Sequence, residues 1–264
     1  AARLARMGIH TMGDLARLSL ENEEVFFREF GVDAEILIDH AWGWEPCTIS
    51  DIKAYRPESN SLGAGQVLQC PYSAEKARIV IREMADALAL ELVEKGLATD
   101  QLTLTVGYDI ENIQDPERLS RYQGEIKKDR YGRFVPKHSH GTENIGKYTS
   151  STRKIQDAAD ALFHRIVDPG LLIRRLNITA NHVMSEREVP EADACEQMDL
   201  FVDYEIMQEE KRREEAEQVR EKKIQSTVLD IKRKFGKNAI LKGTALEDGA
   251  TSRERNQKIG GHQA

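Results

Sequence analysis

The chain has 264 residues, 40% hydrophobic and 31% charged, a length that suits one or two domains with extensions. No apolar run approaches the roughly 20 residues that span a bilayer, and no secretory signal opens the sequence. The net charge is −7, which excludes a uniformly basic nucleic-acid binder but not a local basic patch, because fields are screened within about 10 Å at ordinary salt.

The first residues, Ala1-Ala2-Arg3-Leu4-Ala5-Arg6, read as the interior of a helix and carry no initiator Met, so a truncated N-terminus is expected. Short helices are predicted over 3–7 and 11–18. Thr11 is the expected N-cap of the second, with Asp14 favourable three residues later. Two further helices are predicted over 21–30 and 33–42, with Asp33 as an N-cap and Gly31 and Gly43 as C-caps. Residues 1–44 thus form a small all-helical unit, too short to bury a core alone. Residues 45–60, with Pro46, Pro57, Ser50, Ser59 and Asn60, read as a linker.

Residues 61–183 form a second unit. A strand is expected over 61–68 and a long helix over 73–95, where Ala77, Val80, Ile81, Met84, Leu88 and Leu92 recur at helical spacing. The run from Leu102 to Tyr108 alternates apolar with polar, as a half-buried strand does. Residues 109–139 are polar, basic and rich in turn formers. A further strand is expected over 142–148, a helix over 151–167 with Ala158, Leu162, Phe163 and Ile166 inward, and a last strand over 171–178. The order β-α-β-β-α-β predicts an α+β fold: a four-stranded sheet with two helices on one face and the other face free for a ligand. Residues 184–204 read as an extended segment, 205–234 as a solvated charged helix, and 235–264 as a loosely ordered tail.

Ten basic residues fall within 118–154 (Arg118, Arg121, Lys127, Lys128, Arg130, Arg133, Lys137, Lys147, Arg153 and Lys154), opposed there only by Glu125, Asp129 and Glu143. Residues 1–52, by contrast, carry a net charge of −6. Phosphate is the natural ligand for such a cluster; taken one at a time, the same residues are ordinary solvated charges.

The string Leu4-Ala5-Arg6-Met7-Gly8-Ile9-His10-Thr11-Met12-Gly13-Asp14-Leu15-Ala16 resembles the thumb of Y-family (lesion-bypass) DNA polymerases, where a helix-hairpin-helix region lies. In that family a linker leads from the thumb to a "little finger" domain of β-α-β-β-α-β order, the order read here. The resemblance implies a thumb remnant over 1–44, a linker over 45–60, a little finger over 61–183 and a helical, partly disordered tail. It further implies sequence-independent grip on primer–template DNA. The expected contacts are Gly8, His10, Thr11 and Gly13 at a helix N-terminus, and Arg130, Arg133, Lys137, Arg153, Arg174 and Arg175 from the little finger.

Gln197-Met198-Asp199-Leu200-Phe201 resembles the bacterial sliding-clamp-binding pentapeptide, with Met198 in place of the commoner Leu. Gln197 would supply a directional amide contact, and Leu200 and Phe201 would bury in an apolar pocket. The alternative reading packs Leu200 and Phe201 on their own domain. The charged helix after it could meet a recombinase filament, although charge runs are more often solvated faces. A bacterial, cytoplasmic, nucleoid-associated setting is the expectation that follows from the family.

Polymerase chemistry needs carboxylates that hold two Mg²⁺ ions. In this family they lie in the palm, ahead of the thumb, so no catalytic or metal residue is expected in this sequence and no cofactor. Asp109 and Glu111 follow a strand as palm carboxylates can, but are read as surface groups; His138 and His140 lack a cysteine partner and are read as part of the basic loop. Cys47, Cys70 and Cys195 are widely spaced and odd in number, against a disulfide framework or cysteine zinc site. Cys70-Pro71 lacks the glycine motif of a methylase, and Trp42 and Trp44 flank a helix-ending Gly. Two other readings share these motifs: a catalytically inactive polymerase-like accessory that bridges the clamp to another polymerase, and a non-polymerase DNA-repair adaptor.

Overall fold

A computed structural model describes residues 2–55, 60–129, 131–189, 204–259 and 262–263. The chain divides into two compact units, residues 1–58 and 59–264.

The first unit is helical: α1 (Ala2–Arg6), α2 (Met12–Glu21), α3 (Glu24–Phe30), α4 (Asp33–Ala41) and α5 (Ile49–Ala54). Leu15, Phe26 and Ala34 have no exposed surface and, with Ile9 and Ile38, make its core. Thr11 caps α2 in a reciprocal capping box with Asp14. Gly31 ends α3 at φ +61°, and Gly43 follows α4 at φ +77°, conformations that favour glycine. Two expectations change. Asp33 lies inside the first turn of α4, whose cap is Val32 with no side-chain bond. The predicted linker contains α5, because Thr48 and Asp51 form a second capping box.

The second unit runs β1 (Leu62–Tyr72), α6 (Ala74–Lys95), β2 (Leu97–Tyr108), α7 (Glu111–Gln114), α8 (Pro116–Arg121), β3 (Ile126–Lys128), β4 (Phe134–Pro136), β5 (Ser139–Thr149), α9 (Thr152–Ile166), β6 (Ile173–Asn181), β7 (Met184–Ser185), α10 (Tyr204–Phe235) and α11 (Ser252–Arg255). The long strands lie in the order β1-β6-β2-β5, all neighbours antiparallel, and β7 pairs the start of β2. This is the α+β architecture expected. Pro71 is tolerated because β1 is an edge strand. The polar stretch after β2 holds more structure than its composition suggests: two short helices, then the hairpin β3–β4.

Leu68 of β1, Leu102, Leu104 and Val106 of β2, and Leu176, Ile178 and Ala180 of β6 all face α6 and α9. They meet Val80, Met84, Leu88 and Leu92 from α6 and Ile155, Leu162 and Phe163 from α9. Truncating one such leucine to alanine costs about 2–5 kcal/mol. Ser73 caps α6, and Gly96 closes it in the left-handed region at φ +65°. The domain's entry and exit lie side by side: the Val183 N–H donates to the Asn60 carbonyl at 2.6 Å.

Helix α10 is not a freely solvated helix. Gln225 is only 5% exposed; its amide donates to the Ser150 carbonyl and the Thr152 hydroxyl, both at 2.9 Å. The tail beyond it also packs down. The Glu83 carboxylate accepts the N–H groups of Thr251 at 2.8 Å and Ser252 at 3.1 Å, joining α6 to α11. Composition alone concealed both contacts, because each depends on a partner far away in sequence.

Candidate nucleic-acid interface

The sheet face opposite the helices is polar. Strand alternation sends Leu102, Leu104 and Val106 into the core and leaves Gln101, Thr103 and Thr105 on the other side. Register places Asn144, Thr142 and His140 of β5 beside those three residues. The Thr103 and Thr142 hydroxyls share a hydrogen bond at 3.2 Å, Thr105 and His140 share one at 2.9 Å, and the Gln101 amide donates to Asn144 at 2.8 Å. Asn181 Nδ2 donates to the Thr103 hydroxyl at 2.7 Å.

Glycines clear the space around the middle strand. On β1, Gly63 and Gly65 lie opposite Thr179 and Asn177 of β6. A Cβ on Gly63 would come within 2.8 Å of Thr179 Oγ1, and one on Gly65 would collide with Asn177 Oδ1. On β2, a Cβ on Gly107 would lie 3.2 Å from Arg175 Cβ. The side chains of Asn177 and Thr179 therefore lie over a bare backbone. The result is a low, polar surface of neutral donors and acceptors. Sequence reasoning that looked for cations missed these residues; the Gly63-Ala64-Gly65 alternation was the available signal.

Positive charge is concentrated at one end of this face. Between the buried Ile173 and Leu176 stand two residues, not one. Register shifts on both sides of β6 mark a β-bulge there, which turns both Arg174 and Arg175 away from the core. Arg174 Nη1 donates to the Gln69 carbonyl at 2.9 Å, and its Nε lies 3.7 Å from Asp109. Arg175 is exposed and makes no ion pair among the described residues.

The hairpin stands at the same end, since β4 leads directly into Ser139, which pairs with Val106 beside Leu176. Arg133 pairs with Asp129 at 2.6 Å, which raises its pKa above the ordinary arginine value and lowers that of Asp129. Lys137 pairs with Glu125 at 3.0 Å and holds that carboxyl below its usual range. These pairs are solvent-exposed and so worth little by themselves.

Of the expected contacts, Arg133, Lys137, Arg174 and Arg175 thus gather at one end, while Arg130 falls outside the described residues. Arg153 does not belong with them. It begins α9 on the helical side of the sheet, where it lies 3.4 Å from Glu217 of α10, and its N–H donates to Glu221 at 3.0 Å. Periodicity could not reveal this, because the partner carboxylates lie more than 60 residues away.

In the first unit, Gly8 at φ +76° turns the chain between α1 and α2. The N–H groups of His10 and Thr11 donate to Asp14 at 3.2 and 2.9 Å. Bonds from the Thr11 side chain, then from the Thr11 and His10 backbones, bring the Asp14 pKa down to about 2. At neutral pH this loop therefore holds its own carboxylate, paired with Arg17 at 2.6 Å. Of the four residues expected to meet phosphate here, Gly8 gives its N–H to the Ala5 carbonyl at 3.1 Å, which leaves the Gly13 amide, with that of Met12 beside it, clear of Asp14.

The donor set near Asp109 does not suit a two-metal centre. Asp109 is largely buried, accepts the Glu111 N–H at 2.9 Å and faces Arg174. Among the described residues no three His, Cys, Asp or Glu side chains converge. The peptide Gln197–Phe201 lies outside the described residues.

Residues 59–200 match the C-terminal domain of the impB/mucB/samB family. Over 263 residues the chain is 26% identical to a Bacillus subtilis (strain 168) protein named for UV-damage repair, UvrX, covering 99% of this chain and 51% of that protein. It is 25% identical over 256 residues to DNA polymerase IV 2 of Halalkalibacterium halodurans, covering 97% of this chain and 51% of that protein. It is also 24% identical over 264 residues to DNA polymerase IV 2 of Bacillus subtilis (strain 168), at 98% and 52% coverage. The chain spans about half the length of these curated relatives.

Proposed function

The chain belongs to the impB/mucB/samB family, the Y-family DNA polymerases, by the domain at residues 59–200, and on that premise we propose that it is the DNA-gripping half of a lesion-bypass polymerase. The observation that carries this reading is the open sheet face: neutral hydrogen-bonding side chains over a glycine-lined strand, with Arg174 and Arg175 raised by a bulge at one end. Such a face can lie against a duplex groove without demanding a sequence, while the arginines at its end engage phosphates. Arg133 and Lys137 add to that end; Met12 and Gly13 offer a second phosphate contact from the helical unit.

Docking on a sliding clamp through Gln197, Met198, Asp199, Leu200 and Phe201 is part of the same proposal. A short peptide binds with a Kd on the order of micromolar, and the tether then raises the local concentration of polymerase at a primer end. Nucleotide transfer, with its Mg²⁺ ions, is assigned to a palm not found in these residues, so the chain by itself should extend no primer.

Fluorescence anisotropy with primer–templates of unrelated sequence tests the grip. Equal affinities and a steep fall with salt are expected. Failure to bind any of them at low salt would overturn the reading. Replacing Gln197, Leu200 and Phe201 by alanine should abolish co-elution with the clamp and leave DNA affinity unchanged. Co-elution like that of the unaltered chain would sink the clamp assignment.

A further inference from the structure

The β3–β4 hairpin is more than a basic turn. Tyr131 at its tip is 73% exposed and Phe134 on β4 is 54% exposed, an unusual cost in water for two aromatic rings on so short an element. Each ring is held by a cation. The Arg133 guanidinium lies 5.2 Å from the Tyr131 centroid, and the Lys128 ammonium 5.1 Å from that of Phe134. Cross-strand register fixes the second pair, since Lys128 and Phe134 are direct partners. Asp129 fixes the first: it accepts the N–H groups of Tyr131 at 2.8 Å and Arg133 at 2.9 Å and pairs with the Arg133 side chain.

The hairpin thus presents two oriented rings, each with a positive group beside one face and much of its surface open. Aromatic planes interleaved with cations are the chemistry that binds unpaired nucleotides. Bases stack on the rings, whatever their identity, and the following phosphates meet the cations. Interior base pairs cannot use such rings, because their faces are already covered by neighbours in the stack. The polar sheet face, by contrast, offers amides, hydroxyls and one imidazole, His140, which is already bonded to Thr105 at 2.9 Å, and suits a duplex groove.

We propose that the β3–β4 hairpin is a single-strand site, in which Tyr131 and Phe134 stack unpaired bases of a template overhang as it leaves the Arg174–Arg175 end of the sheet. This rests on the reading of the sheet face as the duplex site. It adds a discrimination that face cannot supply, between a bare duplex end and one that carries an overhang.

The test measures anisotropy of the full chain with a blunt duplex and with the same duplex carrying a 5′ oligo-dT overhang. The unaltered chain should prefer the overhang. Tyr131→Ala with Phe134→Ala should remove that preference, about 10-fold or more in Kd, and leave blunt-duplex affinity in place. Tyr131→Phe with Phe134→Tyr should keep it. Tyr131→Ala alone, at an exposed tip outside the strand pairing, serves as a second variant should the double variant melt early.

No preference in the unaltered chain, or an equal loss on both DNAs in the alanine variants, would overturn the inference while the duplex reading stood. A loss of clamp binding with overhang preference intact would assign the hairpin to a protein partner and overturn it too. Absence of binding to either DNA by the unaltered chain would instead defeat the duplex reading itself.

Discussion

The carboxylate of Glu221 accepts the backbone N–H of Arg153 at 3.0 Å and the hydroxyl of Ser151 at 2.6 Å. One side chain of α10 thereby satisfies the opening turn of α9, which otherwise has only Ser151 to cap it. Glu214 and Glu217 extend the same stripe to Lys154 at 2.6 Å and Arg153 at 3.4 Å. Glu221→Ala should lower stability by about 1 kcal/mol, read from urea unfolding. Unchanged stability would mean that α10 is held by Gln225 and its apolar contacts instead.

Arg175 and Arg153 were equal candidates in the sequence and differ in the structure. If Arg175 meets a phosphate, Arg175→Ala should reduce the slope of log K against log salt by about 0.9. Arg153→Ala should leave that slope unaltered, because Arg153 faces Glu217 on the helical side. Equal effects would show that α10 leaves α9 when DNA binds.

Gly65 faces Asn177 across the ladder. Gly65→Val suits a strand and should keep the fold within about 1 kcal/mol. Its side chain would displace the Asn177 amide and raise the open face, so DNA affinity should fall while the melting curve stays close to that of the unaltered chain. Unchanged DNA affinity would place the duplex elsewhere.

Asp14 supplies a pH dependence confined to the helical unit. Its pKa falls from 3.8 to about 2 on folding, through bonds from Thr11 first. A depressed carboxyl pKa adds stability that is fully present above the unfolded value and is lost as pH drops through about 4 toward 2. Thermal melts followed by fluorescence of Trp42 and Trp44, the chain's two tryptophans, should therefore shift to lower temperature over that window, and Asp14→Asn should flatten the decline. A curve of the same shape in the variant would assign the acid sensitivity to other carboxyls.

Much of this architecture is legible locally. Ser73 and Gly96 bracket α6 by their own chemistry, and the run from Leu102 to Tyr108 declares a half-buried strand by alternation. The bulge was written there too: Ile173 and Leu176 stand three apart in a strand that should repeat every two residues. Other features have no local signature. The α10 sequence looks solvated because its contacts to Ser150, Thr152 and Glu94 come from remote segments. The hairpin was hidden by three-residue strands, too short to show a period. The position of Arg153, apart from the β6 arginines, was not legible because the pattern of charge along a chain does not say which side of a sheet a helix will cover.

The bond from Val183 to Asn60 has a consequence for the rest of the chain. Since β1 starts where β6 ends, the path into the domain and the path out share one corner. Insertions in the loops between Asn60 and Val183 therefore leave the separation of these two ends unchanged.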